Sequence, residues 1–266
     1  MPIHCRITIP ALTTDEFKIR DYRIMGHAFA CQNELGRFCD EGVYETDLAA
    51  RLVADDFRGV HTQEPVVVTH GDFSKTYFLD LLADGALYEL KTVSALTGEH
   101  QAQLLNYMLL LGLRCGKLLN FGPDRVEGQL IVTSLTPELR RRVMVDASRW
   151  QEISPACRRL RSVMEALLAD WGAFLEVPLY QEALTHFLGG ASQVIQRVPL
   201  ARGSLALGTQ RMHLHAHGVG FVLTAYTAEL PAHESNLRKL LALTPLTALQ
   251  WLNLDHATIR FTTLRE

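Results

Sequence analysis

Residues 76–93 read TYFLDLLADGALYELKTV, and the pattern of this stretch decides the fold of the first half of the chain. Two runs rich in leucine and aromatic residues, 76–82 and 87–93, flank Asp84-Gly85, a dipeptide suited to the two positive φ angles of a tight hairpin turn. That turn pairs residue 83 with 86, 82 with 87 and 81 with 88, which brings Asp80 opposite Glu89. Carboxylates directly opposite on neighbouring strands lie about 5 Å apart and repel. Phe78 and Leu82 on one strand, and Leu87 and Val93 on the other, are expected on the same face, where unpaired charge is costly. Lys91 supplies one positive charge on that face. A hard divalent cation between the acids supplies the rest, since Mg2+ favours one or two carboxylates completed by water and phosphate oxygens. Such a constellation is, in outline, a site for phosphodiester hydrolysis, with Lys91 holding charge or placing the nucleophile. A buried salt bridge between Lys91 and Glu89 or Asp80, in a purely structural hairpin, is the competing reading.

Outward from the hairpin, Phe17, Tyr22, Met25 and Phe29 have helical spacing, which predicts a helix over 15–34 that stops near Gly36. A second helix is expected over 43–55 and a strand over 66–68. Thr97 can cap a helix that runs to Gly112, and strands are expected over 117–120 and 128–132. The order is helix, three strands, helix, two strands.

The same order recurs. His100 and Asn120 fall on His233 and Asn253 at one offset of 133, which also carries Gly85 to Gly218 and Leu90 to Leu223. Upstream, an offset of 136 puts Gly36 on Gly172, Phe38 on Phe174 and Tyr44 on Tyr180. Two units are therefore expected, 1–145 and 146–266, joined through the Arg-rich stretch that contains Pro137. The second keeps the turn glycine and the core leucines and loses the charges: Asp80 falls on His213, Glu89 on Val222, Lys91 on Thr224, Glu41 on Val177, Glu45 on Gln181 and Gln103 on Asn236. A scaffold that can be written without those charges implies that the first unit keeps them for chemistry. Tyr44 and His100, retained as Tyr180 and His233, read as scaffold or capping groups.

Bulk properties restrict the options. The 266 residues are 48% hydrophobic and 21% charged, with net charge −3, which argues against tight sequence-independent binding of nucleic acid by overall charge and leaves any such contact to local basic patches. The richest basic region is Arg140, Arg141 and Arg142 with Arg158, Arg159 and Arg161, although such runs are more often solvated helix faces. Five scattered cysteines give neither a zinc cage nor a disulfide framework, and no segment reads as a membrane span or leader, so a cytoplasmic protein is expected. His213, His215 and His217 alternate on a strand in the manner of transition-metal ligands, but His217 falls in the expected turn and a surface feature is the commoner reading.

Taken together, Glu41-Gly-Val-Tyr44-Glu45, Phe78-Leu-Asp80, Tyr88-Glu89-Leu-Lys91 and His100-Gln-Ala-Gln103-Leu-Leu-Asn-Tyr107 resemble the PD-(D/E)XK nuclease superfamily, and within it the group named for a GxxExxY signature. The resemblance covers about residues 15–132. It implies an α/β fold with a restriction-endonuclease-like core, α-β-β-β-α-β, here present twice in tandem. It also implies Mg2+- or Mn2+-dependent cleavage of DNA or RNA. Asp80 and Glu89 would be metal ligands, Glu45 an auxiliary carboxylate joining them, Lys91 the catalytic lysine and Gln103 a helper. Phe38 replaces the first glycine of the signature, which leaves open whether Glu41 or Glu45 is the auxiliary acid. The second unit would be a pseudonuclease that replaces a partner subunit, in a monomer or homodimer. A non-catalytic binding or assembly module that keeps the nuclease fold is the alternative.

Overall fold

The computed structural model describes residues 3–265. The chain forms two compact units that divide between Pro137 and Glu138. Unit one runs β1 (Ile3–Cys5), α1 (Thr14–Leu35), α2 (Glu41–Ala54), β2 (His61–His70), β3 (Phe73–Ala83), β4 (Ala86–Lys91), α3 (Gly98–Leu111), β5 (Cys115–Asn120) and β6 (Glu127–Val132). Its six strands make one sheet in the order β1-β2-β3-β4-β5-β6, in which only β4 and β5 are parallel. The crossover between those two strands is α3.

Local chemistry fixes each boundary. Thr13 and Glu16 form a reciprocal capping box at the start of α1, and Gly36, at φ 75°, ends it. Phe17, Ile24, Ala28 and Cys31 form the buried stripe of α1. They pack with Tyr44, Leu48 and Leu52 of α2 against Leu81, Tyr88 and Leu90 of the sheet. Tyr44 donates to the Gly36 carbonyl at 2.7 Å and stacks on Phe121, so it ties α2 to the end of α1 as scaffold. His100 likewise accepts from the Thr97 amide at 3.0 Å and caps α3.

The hairpin has the expected register, Ala83 with Ala86, Leu82 with Leu87 and Leu81 with Tyr88. Asp84 and Gly85 both take positive φ, 48° and 81°, and a Cβ on Gly85 would lie 2.5 Å from Pro10 Cγ. The strand expected over 66–68 is instead ten residues long, His61–His70. Pro65 is tolerated there because β1 pairs only with Val66–Val68, leaving Pro65 without a neighbour on that side.

Unit two follows a short helix, α4 (Pro137–Arg140), and runs β7 (Met144–Arg149), α5 (Pro155–Trp171), α6 (Val177–Phe187), α7 (Ala191–Val194), β8 (Ile195–Arg202), β9 (Leu205–Ala216), β10 (Val219–Thr224), α8 (Leu230–Ala242), β11 (Ala248–Asp255) and β12 (Thr258–Arg265). The join expected at 145/146 falls inside β7, which pairs with β12 and so belongs wholly to unit two. From β8 to β12 the pairings run antiparallel, antiparallel, parallel, antiparallel, as they do from β2 to β6. The extra strand differs: β1 adds beside β2 in unit one, whereas β7 adds beside β12 in unit two. Among the described residues, no helix is long and apolar enough to cross a membrane.

Candidate active site

The site is assembled where the β3–β4 ladder gives way. Beyond Leu81↔Tyr88 the Asp80 carboxylate accepts from the Leu90 amide at 2.8 Å, so a side chain takes the place of a backbone acceptor and is fixed against β4. Glu89 is 1% exposed, and its Oε1 accepts from Lys91 Nζ at 2.8 Å. The same Nζ lies 3.8 Å from Asp80 Oδ2 and 3.7 Å from Glu41 Oε2 of α2, and donates to the Leu90 carbonyl at 2.7 Å. One helical turn beyond Glu41, Glu45 Oε2 accepts from Gln63 Nε2 at 2.6 Å, and that amide also reaches Asp80 Oδ1 at 3.4 Å. Both candidate acids of α2 therefore converge on the hairpin, Glu41 through Lys91 and Glu45 through Gln63.

The end of β4 is held by a clamp. Asn120 stands opposite Lys91 on β5, and its Oδ1 accepts from the Val93 amide at 3.0 Å and the Gly122 amide at 3.2 Å. A Cβ on Gly122 would meet the Val93 carbonyl at 2.3 Å, so only glycine lets the two loops approach this closely.

Three carboxylates thus surround one ammonium, with Glu45 joined to them through Gln63, and the imbalance is visible in their acidity. Burial, then the charge of Asp80, pushes Glu89 up to about 8 against the pull of Lys91. Burial likewise raises Glu41 and Glu45. For Lys91, burial acts downward, but Glu89, Asp80 and Glu41 outweigh it and hold the ammonium above its ordinary range. Glu89 Oε2 is buried and, among the described residues, has no donor. An orphaned carboxylate oxygen beside a surplus of negative charge suits a divalent cation. Among the described residues no three His, Cys, Asp or Glu side chains are grouped so as to hold a metal ion, so Asp80 and Glu89 are the pair left to carry one, with water and substrate oxygens completing its shell.

Residues 19–131 match the PD-(D/E)XK nuclease superfamily. The matched segment begins in α1, ends in β6 and contains Glu41, Glu45, Gln63, Asp80, Glu89, Lys91 and Gln103; unit two lies outside it. Neither curated proteins nor solved structures give a match.

Several expectations change. Gln103 bonds Tyr107 Oη on its own helix at 3.1 Å and makes no hydrogen bond to the acids or to Lys91. Phe78, expected on the apolar face beside Asp80, is 51% exposed. Gln63 was not indicated by the sequence: it sits inside β2 at φ 50°, in the left-handed region, and no motif marks such a break. Glu41 did carry a signal, one turn before Glu45 on the same helix face. Phe38, in the signature's glycine position, is 90% exposed between α1 and α2 and leaves the site intact.

In unit two the register corrects one correspondence. Leu214 pairs with Gly220 and Ala216 with Val219, so His215 is an extra residue in β9, and Met212, not His213, occupies the place of Asp80. Val222 and Thr224 stand opposite Trp251 and Asn253, just as Glu89 and Lys91 stand opposite Leu118 and Asn120. Thr224 Oγ1 accepts from Trp251 Nε1 at 2.8 Å and donates to Asn253 Oδ1 at 2.6 Å, which closes the position that Lys91 fills in unit one.

Among the described residues the three histidines form no group that could hold a metal ion. His215 lies 3.4 Å from Cys157 Sγ, with its pKa lowered by burial to about 4; His213 packs on Phe221; His217 is exposed in the turn. Four of the six arginines of the Arg-rich stretch are engaged within the fold. Arg140 is fully buried and donates to the Ala173 carbonyl, Arg158 pairs with Glu152, Arg161 pairs with Glu165 and Arg159 bonds the Phe187 carbonyl.

Proposed function

We propose that unit one is a Mg2+- or Mn2+-dependent nuclease that hydrolyses phosphodiester bonds of DNA or RNA. The observation that carries this reading is the meeting of Asp80, Glu89 and Glu41 at a single ammonium, with Glu89 Oε2 left without a donor. Asp80 and Glu89 would hold the metal, with Glu45 as the auxiliary ligand and Glu41 beside it. When bound, the cation supplies a Lewis acid for the phosphoryl group and lowers the pKa of water. Lys91 Nζ, already turned toward the acids, is placed to donate to a phosphoryl oxygen as charge develops there. Gln63 orients Asp80 and Glu45 toward each other, and the Asn120 clamp fixes the strand end that carries Lys91. Gln103 would act from α3 only after releasing Tyr107.

Unit two is, on this reading, a degenerate copy of unit one. Support comes from the equal strand pairings and from matching details. Tyr180 donates to the Gly172 carbonyl as Tyr44 does to Gly36, and Asn253 accepts from the Tyr226 amide at 2.9 Å as Asn120 does from Val93. Val177, Gln181, Met212, Val222 and Thr224 in place of acids and lysine make it a pseudonuclease. On the same reading unit one is a GxxExxY-type domain whose first glycine is replaced, a reading supported by the stretch Phe38-Cys-Asp-Glu41-Gly-Val-Tyr44.

The test is cleavage of single-stranded, duplex and structured nucleic acids with Mg2+ or Mn2+. Metal-dependent cleavage that Asp80→Ala removes is the expected result; its persistence in that variant would end the assignment. A second reading, a binding module that retains the fold, draws on the 2.8 Å Lys91–Glu89 pair, which neutralises part of the cluster internally. Calorimetric titration of Mn2+ separates the two, since a module of that kind takes up no stoichiometric ion through Asp80 and Glu89.

A further inference from the structure

Unit one carries 12 Lys and Arg against 18 Asp and Glu over residues 1–137, whereas residues 138–266 carry 14 against 11. A polyanionic substrate is thus disfavoured by the unit proposed to cut it and favoured by the other. Within unit two the charge is concentrated. The 46 residues between Glu182 and Glu229 contain no Asp or Glu, and they hold Arg197, Arg202 and Arg211.

All three arginines lie on the β8–β9 ribbon, whose residues 201–211 are exposed without interruption. Arg197 and Arg211 are register partners, directly opposite each other on antiparallel strands. Like charges in that arrangement weaken a ribbon. Among the described residues no carboxylate pairs with Arg197, Arg202 or Arg211; Arg197 reaches only the Thr209 hydroxyl, at 3.4 Å. A repulsion placed on an exposed ribbon and left without an internal counter-ion calls for an external anion. From Arg197 to Arg202 the ribbon extends about 16 Å at the usual strand rise. Phosphates recur every ~3.4 Å of rise along each strand of a duplex, and the major groove, about 12 Å wide, admits a two-stranded ribbon.

We propose that the β8–β9 ribbon is a nucleic-acid backbone clamp, in which Arg197, Arg202 and Arg211 neutralise phosphates of a duplex. The choice of nucleic acid as the polyanion rests on the nuclease reading of unit one. The clamp's chemistry carries no base readout, so it supplies affinity and not sequence preference.

The experiment uses the full chain with Asp80→Asn to prevent cleavage, and measures binding of a short DNA duplex and the matching RNA duplex by fluorescence anisotropy across a salt series. Replacing Arg197, Arg202 and Arg211 together by Gln should reduce the slope of log K against log salt by about 2.7, the value for three phosphate contacts. The affinity lost between about 50 and 200 mM salt would then be roughly 40-fold smaller than for the parent chain. The thermal midpoint should hold or rise, because the variant removes an opposed pair of charges. A control with Arg158→Gln and Arg161→Gln, both paired with glutamates, should leave the slope unchanged. An unchanged slope in the triple variant, or an equal loss in the control, overturns the clamp. A reduced slope in a chain that shows no metal-dependent cleavage would leave the clamp standing and defeat the nuclease reading; cleavage together with an unchanged slope would do the reverse.

Discussion

At the end of β4 unit one holds Glu89 and Lys91, and at the same register in unit two stand Val222 and Thr224. Around both, the strand pairings, the Asn clamp and the Tyr bond to the helix-ending glycine are alike. The difference teaches that the scaffold does not need the charges. Without them its strands still pair and its loops still close, and Thr224, Trp251 and Asn253 satisfy one another where Lys91 would lie. On the nuclease reading, the acids of unit one therefore act against stability and are kept for chemistry.

The sharpest test of that comparison is to move a charge in each direction. Asp80→Asn keeps an oxygen for the Leu90 amide while relieving repulsion, so cleavage should fall by about 10³-fold, as for loss of a group that stabilises transition-state charge. At the same time the metal-free thermal midpoint should rise by about 4 °C, equivalent to ~1 kcal/mol. Met212→Asp, at the corresponding buried place in unit two, should cost about 3 kcal/mol in urea denaturation and create no activity, since no partner awaits the charge. If Asp80→Asn instead destabilises the metal-free chain, the acids are part of the fold's own bonding and the contrast between the units fails.

A second pair of equivalent positions separates ionic from neutral packing. Lys117 Nζ lies 2.6 Å from Asp21 Oδ2 in unit one, and the matching residues of unit two are Gln250 and Cys157, with Gln250 Nε2 3.2 Å from Sγ. Lys117→Met should cost about 3 kcal/mol because it strands a mostly buried carboxylate, whereas Gln250→Met should cost about 1 kcal/mol. Installing the unit-two pair through Asp21→Cys with Lys117→Gln should recover most of the loss. A double variant as unstable as Lys117→Met alone would mean that the surrounding packing, and not the charge pair, sets the cost. The helix-ending glycines are compared in the same way. Gly36 and Gly172 share positive φ, 75° and 80°, but a Cβ on Gly172 would lie 2.9 Å from the Arg140 backbone while Gly36 has open space. Alanine should therefore cost about 1 kcal/mol at Gly36 and roughly twice that at Gly172.

Most of this architecture was legible because it rests on local rules. The two-residue turn at Asp84-Gly85 fixes the hairpin register, and the register brings Asp80, Glu89 and Lys91 together. What escaped depends on exceptions to periodicity. Gln63 reaches Glu45 and Asp80 from a left-handed break inside β2, and a strand pattern read in steps of two cannot place a residue at such a break. His215 is an extra residue in β9, so an ungapped offset of 133 misses the register of Asp80, which falls on Met212, by one residue. In the arginine run, Arg158 and Arg161 pair with the nearby Glu152 and Glu165, whereas the carbonyl partners of Arg140 and Arg159 are 33 and 28 residues away and are set by tertiary packing. Arg197 and Arg211 of the ribbon are far apart in the sequence and come opposite each other only when β8 pairs with β9.

The extra edge strands give the smallest and most specific test. β7 has no counterpart in unit one, and Arg149 at its end donates to Glu234 of α8 at 2.7 and 2.8 Å, with Arg238 on the other side of the same carboxylate. The matching residue of unit one, Gln101, makes only a neutral bond to Gln129. The Arg149 hydrogen bonds, aided by Arg238, hold Glu234 at about 2 against an ordinary value of 4.5. A carboxylate whose folded pKa is depressed adds stability that is fully present above its unfolded pKa and is lost as pH falls toward the folded one. Unit two should therefore weaken between about pH 4.5 and pH 2 by an amount that solvent screening limits to ~1 kcal/mol. Glu234→Gln should remove that part of the acid limb in urea denaturation followed by Trp fluorescence, while Gln101→Ala in unit one leaves it in place. An identical acid limb in Glu234→Gln would mean that β7 docks through its ladder with β12 alone, and that the ion pair merely decorates the edge.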